Sequence, residues 1–84
     1  MSLNETVRQI ETREDFVAML AELLLDLRTK PEEWENSTLE RYLEAIADWT
    51  GDSDGYYANR GIPVPEQPNW RTFGEVLLAA KYYE

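Results

Sequence analysis

The sequence predicts an all-α fold, because three segments show apolar residues at the three- and four-residue spacing of one helix face. Each segment follows a serine, threonine or asparagine, the residues that most often begin helices. With 84 residues, of which 43% are hydrophobic, the chain can bury one small core. We therefore expect one domain over residues 1–84. It would be a small bundle of three main helices plus one short helix, with a proline-rich connector before the last helix.

The N-terminal segment, residues 1–11, is mostly polar, and Val7 and Ile10 are its only useful apolar anchors. We expect this segment to lie against the domain as an extended or irregular arm. The two apolar side chains would hold the arm against the helices that follow it.

The first main helix is predicted over residues 13–28. Thr12 and Asp15 have the spacing of a capping box, with aspartate in place of the usual glutamate. The predicted core-facing stripe holds six apolar residues: Phe16, Val17, Leu20, Leu23, Leu24 and Leu27. Met19 and Leu25 fall outside this stripe, so we expect them to cover a second neighbour.

The central helix is predicted to begin after Ser37, whose hydroxyl would accept a hydrogen bond from the backbone of Glu40 in a capping box. Its apolar face would hold Leu39, Tyr42, Leu43, Ile46 and Trp49. The helix should end near Thr50. On another face, Glu44 and Asp48 continue a row of acids from Glu40 at intervals of four residues. This row is either a solvated face or a surface for a cationic partner.

The segment at residues 52–61 has two interpretations. Ser53 would cap a short helix that ends at Gly61, or the central helix would continue through this segment with a kink. Gly51 and Gly55 favour a break, because glycine weakens a helix interior.

The last part of the chain combines a stiff connector with a helix. Three prolines in residues 62–68 predict an extended segment that crosses the surface. Asn69 would then cap a helix that runs to about Tyr82. Gly74 lies inside this helix at a cost of about 1 kcal/mol relative to alanine. We therefore expect another backbone to approach closely there.

Composition excludes several classes of function. The net charge of −9 opposes binding to nucleic acid or to an anionic membrane, since both depend on lysine and arginine. It suits a basic protein partner instead. The longest apolar runs are too short to cross a bilayer. The N-terminal residues lack the pattern of a signal peptide, so the expected compartment is the cytoplasm.

Catalysis and metal binding are not expected, because the chain has no histidine and no cysteine. The three serines would have no histidine to activate them. A calcium loop with Gly55 at its sixth position would need ligands from Thr50 and Gly61, and neither carries a carboxylate. We expect a non-enzyme without a cofactor or a metal.

An acidic surface beside two tyrosines is the strongest candidate site. Residues 32–54 contain eight acids and one base, Arg41. Adjacent side chains on a regular element point in different directions, so Tyr56 or Tyr57 should be partly exposed. Tyrosine is enriched at binding hot spots. The predicted partner-binding residues are Glu44, Asp48, Asp52, Asp54, Tyr56 and Tyr57. Alternatively, both rings pack under the proline-rich connector.

Several motifs resemble a family of short bacterial proteins classed as a domain of unknown function. They are Phe16 with its leucine stripe, the pattern W-E-N-x-T-L-E-x-Y-L-E-A at 34–45, Trp49, D-G-Y-Y at 54–57 and P-x-x-P-x-W at 65–70. The resemblance covers nearly the whole chain and implies a compact helical domain, with no activity attached. A looser architectural likeness is to the immunity proteins of colicin-type nucleases, which are acidic helical proteins with adjacent tyrosines.

Two functional hypotheses follow from these observations. The first is a non-catalytic module that binds a basic protein, such as an antitoxin or immunity protein. The second is a structural or self-associating helical protein without a dedicated ligand site, in which Tyr82, Tyr83, Met19 and Leu25 form a self-interface. The two hypotheses can be distinguished by measuring whether the protein is a monomer or a homodimer.

Overall fold

The computed structural model describes residues 2–83, which form four α-helices and no strand. The helices are α1 (Leu3–Arg8), α2 (Arg13–Thr29), α3 (Leu39–Asn59) and α4 (Trp70–Tyr82), with a 3₁₀ turn at Pro31–Glu33 after α2. The predicted all-α class, with three long helices and one short one, is confirmed. Helix α4 lies at the centre and packs against α1, α2 and α3, whereas the backbones of α2 and α3 do not come close to each other within the described residues. No helix in residues 2–83 combines the length and the apolar character needed to cross a membrane.

The short helix lies at the N-terminus, so the prediction of an extended or irregular arm is wrong. The Ser2 hydroxyl accepts a hydrogen bond from the Glu5 backbone N–H at 3.2 Å and begins α1. Val7 and Ile10 are buried, as expected. A helix of six residues is unstable alone, and the packing of these two side chains against the core stabilises it.

Helix α2 has the predicted range within one residue, and the capping box of Thr12 and Asp15 is present. Its buried face differs from the predicted one. Met19, which was expected outside the core stripe, is 0% exposed and lies beside buried Leu23. Three residues of the predicted stripe are exposed instead, namely Val17, Leu20 and Leu24. The reason is that α1 and α4 cover the Met19 side of α2, while α3 does not reach the Leu24 side.

Helix α3 begins at Leu39, the first residue of the predicted apolar face, but its N-cap differs from the predicted one. Thr38, not Ser37, is the N-cap, and its hydroxyl accepts a hydrogen bond from the Arg41 backbone N–H at 3.2 Å. Within the predicted apolar face, Trp49 is buried, but Leu39 and Leu43 are 74% and 56% exposed. Leu39 lies on the side of α3 that faces α2, and α2 does not come close enough to cover it.

The N-cap of α3 provides a direct test. We expect Thr38→Ala to lower the free energy of unfolding by about 1 kcal/mol, because one backbone N–H of the first turn loses its acceptor. Ser37→Ala removes a hydroxyl just outside the helix and should change the free energy of unfolding by less than about 0.5 kcal/mol. Urea unfolding of both variants measures the difference. A larger loss for Ser37→Ala would place the helix start at Ser37.

The predicted separate helix at residues 53–59 is a continuation of α3, the second of the two interpretations. Gly51 and Gly55 lie inside the helix and do not break it. Gly61 ends it with a φ of 70°, and the backbone N–H groups of Gly61 and Ile62 donate to the carbonyls of Ala58 and Tyr57. These paired bonds are the Schellman arrangement that closes a helix at glycine.

Helix α4 begins as predicted, since the Asn69 side chain accepts a hydrogen bond from the Thr72 backbone N–H at 2.9 Å. Gly74 is buried, but its close neighbour is a side chain and not the expected backbone. A Cβ added at Gly74 would lie 2.6 Å from Cδ1 of Ile10. The missing side chain therefore makes room for the segment that follows α1.

Candidate functional site

Three of the predicted acids lie together on the exposed outer face of α3. Glu44, Asp48 and Asp52 follow one another at four-residue intervals, and all three are exposed. Tyr83 lies beside them, and its hydroxyl donates a hydrogen bond to Asp52 at 2.6 Å. This hydrogen bond, together with burial and the nearby acidic charges, raises the pKa of Tyr83. A shallow pocket of about 250 Å³ separates Glu44 and Asp48 from Glu35.

The other three predicted residues have different surroundings. Asp54 is two positions beyond Asp52, which is about 200° around a helix, so its side chain points away from the acidic row. Tyr57 is only 3% exposed and Tyr56 is half-buried. Both hydroxyls donate to Glu75 of α4, at 3.4 and 3.3 Å. Both tyrosines thus pack towards α4, although Tyr56 follows Asp52 by four positions on the same helix.

Burial explains the chemistry of these tyrosines. It raises the pKa of Tyr57 to about 12, and the negative charge of Glu75 adds to the effect. The same two causes raise the pKa of Tyr56. Their rings pack edge to face with centroids 5.0 Å apart, and Trp49 packs against Tyr56 at 5.2 Å. The ring contacts lie within α3, and the hydrogen bonds to Glu75 join this part of α3 to α4.

An apolar groove, which sequence reasoning missed, opens between α2 and α3. Its volume is about 350 Å³. We call it the leucine groove; its main lining residues are Leu20, Leu24, Leu27, Leu39, Tyr42 and Leu77. Because α2 and α3 do not meet, part of α4 forms the floor. The Tyr42 hydroxyl donates to the Leu77 backbone carbonyl at 2.6 Å, and burial raises the pKa of Tyr42 to about 12.

No charged side chain lines this groove among the described residues. The apolar surface continues beyond it onto Val17 and onto Trp70 and Phe73, which pack around Phe16. The sequence did contain a signal for it, because the apolar stripe of α2 is wider than one neighbouring helix can cover. The prediction that the whole stripe faces the core is wrong, because Val17, Leu20 and Leu24 are exposed.

A polar cluster lies beside the leucine groove, and two of its residues, Trp34 and Asn36, also line the groove. The carboxylate of Asp26 accepts hydrogen bonds from Lys81 Nζ at 2.6 Å and from Trp34 Nε1 at 2.8 Å. The Asn36 amide donates to the carbonyls of Ala80 and Tyr83, which are free at the end of α4. We call Asp26, Trp34, Asn36 and Lys81 the Asp26 cluster. Its groups are satisfied by one another and by backbone, so its role is structural.

Comparison with known proteins gives one match. No curated protein and no solved structure matches the chain significantly, so the architectural likeness to colicin immunity proteins gains no support. A family model does match, over residues 12–84, and its description is a family of unknown function. The match begins at the N-cap of α2 and includes the leucine groove, the acidic row and the Asp26 cluster. The chain therefore belongs to the family of unknown function DUF7660.

Proposed function

We propose that the protein is a non-catalytic binding module that captures a basic partner protein through the leucine groove. The observation that carries this proposal is an open apolar groove of about 350 Å³ whose walls come from two helices that do not touch. Grooves between helices bind amphipathic helices, which insert apolar side chains one and two turns apart. The occupant we propose is such a helical segment.

The exposed leucines supply the affinity in this proposal. Leu39 is 74% exposed and Leu24 is 46% exposed, and Leu43 lies one turn beyond Leu39 on α3. Contiguous apolar surface of this kind marks interaction sites in soluble proteins. A leucine side chain that becomes fully buried contributes roughly 1.5–3 kcal/mol.

Charge complementarity indicates the chemistry of the partner. Glu40 and Glu44 follow directly after the exposed leucines of α3, and the whole chain carries a net charge of −9. Lysines and arginines beside the apolar face of the bound helix would meet these acids and speed association. Two copies of this chain would repel each other, so a basic partner suits the groove better than self-association. An antitoxin or immunity protein would be one biological form of such a module.

A matched pair of substitutions tests the groove. Leu24→Asn places a polar group on its wall, whereas Leu25→Asn makes the same change at an adjacent exposed residue that does not line it. Asparagine adds no charge that would attract a basic partner. We expect Leu24→Asn to lose on the order of 2 kcal/mol of binding free energy for the partner that the wild type captures. Leu25→Asn should bind that partner as the wild type does. Surface plasmon resonance measures the affinities, and equal binding by both variants would contradict the groove.

Removal of acidic charge tests the partner's chemistry separately. Glu40→Gln with Glu44→Gln should slow association and weaken its salt dependence, while dissociation changes little. Light scattering of the free protein tests the alternative of self-association. A stable dimer that Leu24→Asn dissociates and Leu25→Asn does not would show that the groove binds a second copy.

A further inference from the structure

A further pocket, distinct from the leucine groove and from the shallow pocket beside the acidic row, lies at the C-terminal end of α3. Its volume is about 200 Å³, and Arg8, Arg60 and Arg71 line it. These residues come from the end of α1, the end of α3 and the start of α4, so only the folded chain brings them together. The protein has eight lysines and arginines and a net charge of −9. A concentration of three arginines at one pocket is therefore unusual for this chain.

Neutral groups orient two of these guanidinium groups. The Arg71 Nε–H donates to the Ile10 backbone carbonyl at 3.1 Å. The Arg60 Cζ lies 5.2 Å from the centre of the Tyr56 ring. The ion pairs within residues 2–83 involve other residues, so neither arginine is neutralised by a described carboxylate.

One acid lines the pocket among the described residues, and it already has partners. Glu75 accepts hydrogen bonds from the hydroxyls of Tyr56 and Tyr57. Three positive charges thus surround a cavity that has one negative charge on its wall. Guanidinium groups bind carboxylate and phosphate oxygens through paired, charge-assisted hydrogen bonds.

Aromatic rings form the rest of the wall. Trp49, Tyr56 and Tyr82 line the pocket beside the arginines. We propose that this arginine pocket binds a small organic anion, a carboxylate or a phosphate monoester carried on a single planar ring. The arginines would hold the anionic group, and the planar ring would lie against Trp49 and Tyr56. The volume of about 200 Å³ is below that of pockets for drug-sized ligands, which fits one ring and excludes a dinucleotide.

The three tryptophans allow a direct test by NMR. Trp49 lines the pocket, while Trp34 and Trp70 lie outside it and serve as internal references. We expect phenyl phosphate or benzoate to shift the indole N–H signal of Trp49 with saturation and to leave the other two unchanged. Benzylammonium, which carries the opposite charge on a similar ring, should cause no saturable shift. Inorganic phosphate should bind more weakly than phenyl phosphate, because it has no ring to contact Trp49.

Two variants and a control then test whether the arginines of the pocket hold the anionic group. Arg60→Gln and Arg8→Gln should each weaken binding of the shifting anion about tenfold, the usual effect of losing one charge-assisted hydrogen bond. Arg28→Gln removes a positive charge that lies outside the pocket and should leave the affinity unchanged. Urea midpoints confirm that each variant is folded. The proposal is overturned if neither phenyl phosphate nor benzoate gives a saturable shift of Trp49, or if all three variants bind equally.

Discussion

Replacement of Met19 by alanine should lower the free energy of unfolding by about 2–5 kcal/mol, the usual cost of emptying a well-packed core site. Met19 is 0% exposed and belongs to the core cluster with Ile10, Leu23 and Leu78. Gly74 lets Ile10 pack closely against α4 beside Met19. The structure around Met19 is therefore tightly packed and has little room to collapse into the cavity. Urea unfolding monitored by circular dichroism measures the loss.

Leu24→Ala is the matched control for this prediction. Leu24 lies on the same helix but on the wall of the leucine groove, and its side chain is already partly in water. Its loss should cost less than about 1 kcal/mol. If Leu24→Ala destabilises the protein as much as Met19→Ala, the buried face of α2 is the one that the leucine stripe predicts.

Asp26→Ala should lower the free energy of unfolding by about 3 kcal/mol, because it leaves the ammonium group of Lys81 buried without its counterion. The side chain of Lys81 is 5% exposed, and its contact with Asp26 is 2.6 Å. Trp34 loses its hydrogen-bond acceptor in the same variant. Glu14→Gln, at an exposed ion pair with Arg13, is the control and should change stability very little.

The double variant Asp26→Ala with Lys81→Met separates the ion pair from the packing around it. It should recover much of the loss, because the charge that lacks a partner is gone. A double variant as unstable as Asp26→Ala alone would show that the ammonium group is not the cause.

The same pair makes the protein sensitive to acid. The hydrogen bond from Lys81 outweighs burial and, with that from Trp34, lowers the pKa of Asp26 below 3.8. A carboxylate whose pKa is lowered by folding contributes stability that is present above the unfolded pKa and is lost as pH falls through the folded value. Stability should therefore decline below about pH 4, and less steeply in the double variant.

Local signals explain what could be predicted from the sequence. The ranges of α2 and α4 follow from Thr12, Asp15 and Asn69, whose side chains bond to backbone within three residues. The acidic row of α3 was also predictable, because residues four apart on a helix share a face. The break predicted at Gly51 was wrong, since a continuous helix buries Tyr57 against α4, and that packing outweighs the cost of the two glycines.

Long-range contacts explain what the sequence did not predict. The buried side of α2 depends on whether α3 packs beside it, and periodicity carries no information about a neighbour. Tyr83 reaches Asp52 across 31 positions, and Arg71 reaches Ile10 across 61. No local sequence pattern could therefore predict the arginine pocket. The burial of Tyr57 is a long-range effect of the same kind, because it depends on the contact with Glu75 of α4.

The family motif around residue 34 has a structural explanation. Trp34 donates to Asp26, Asn36 bonds to the carbonyls at the end of α4, and Tyr42 bonds to Leu77. Trp34 and Asn36 connect the segment between α2 and α3 to α2 and α4, and Tyr42 connects α3 to α4. These three residues of the motif thus stabilise the fold, and they also line the leucine groove.

The central position of α4 has a consequence for biosynthesis. Residues 70–82 leave the ribosome after α1, α2 and α3. Among the described residues, the backbone of α3 comes close to another helix only at α4. Until then, Met19 and Leu23 lack the helix that covers them, and α3 has no other helix to pack on. The core is therefore completed only after residues 70–82 have left the exit tunnel, so the apolar faces of the earlier helices are open to chaperones and to early partners during synthesis.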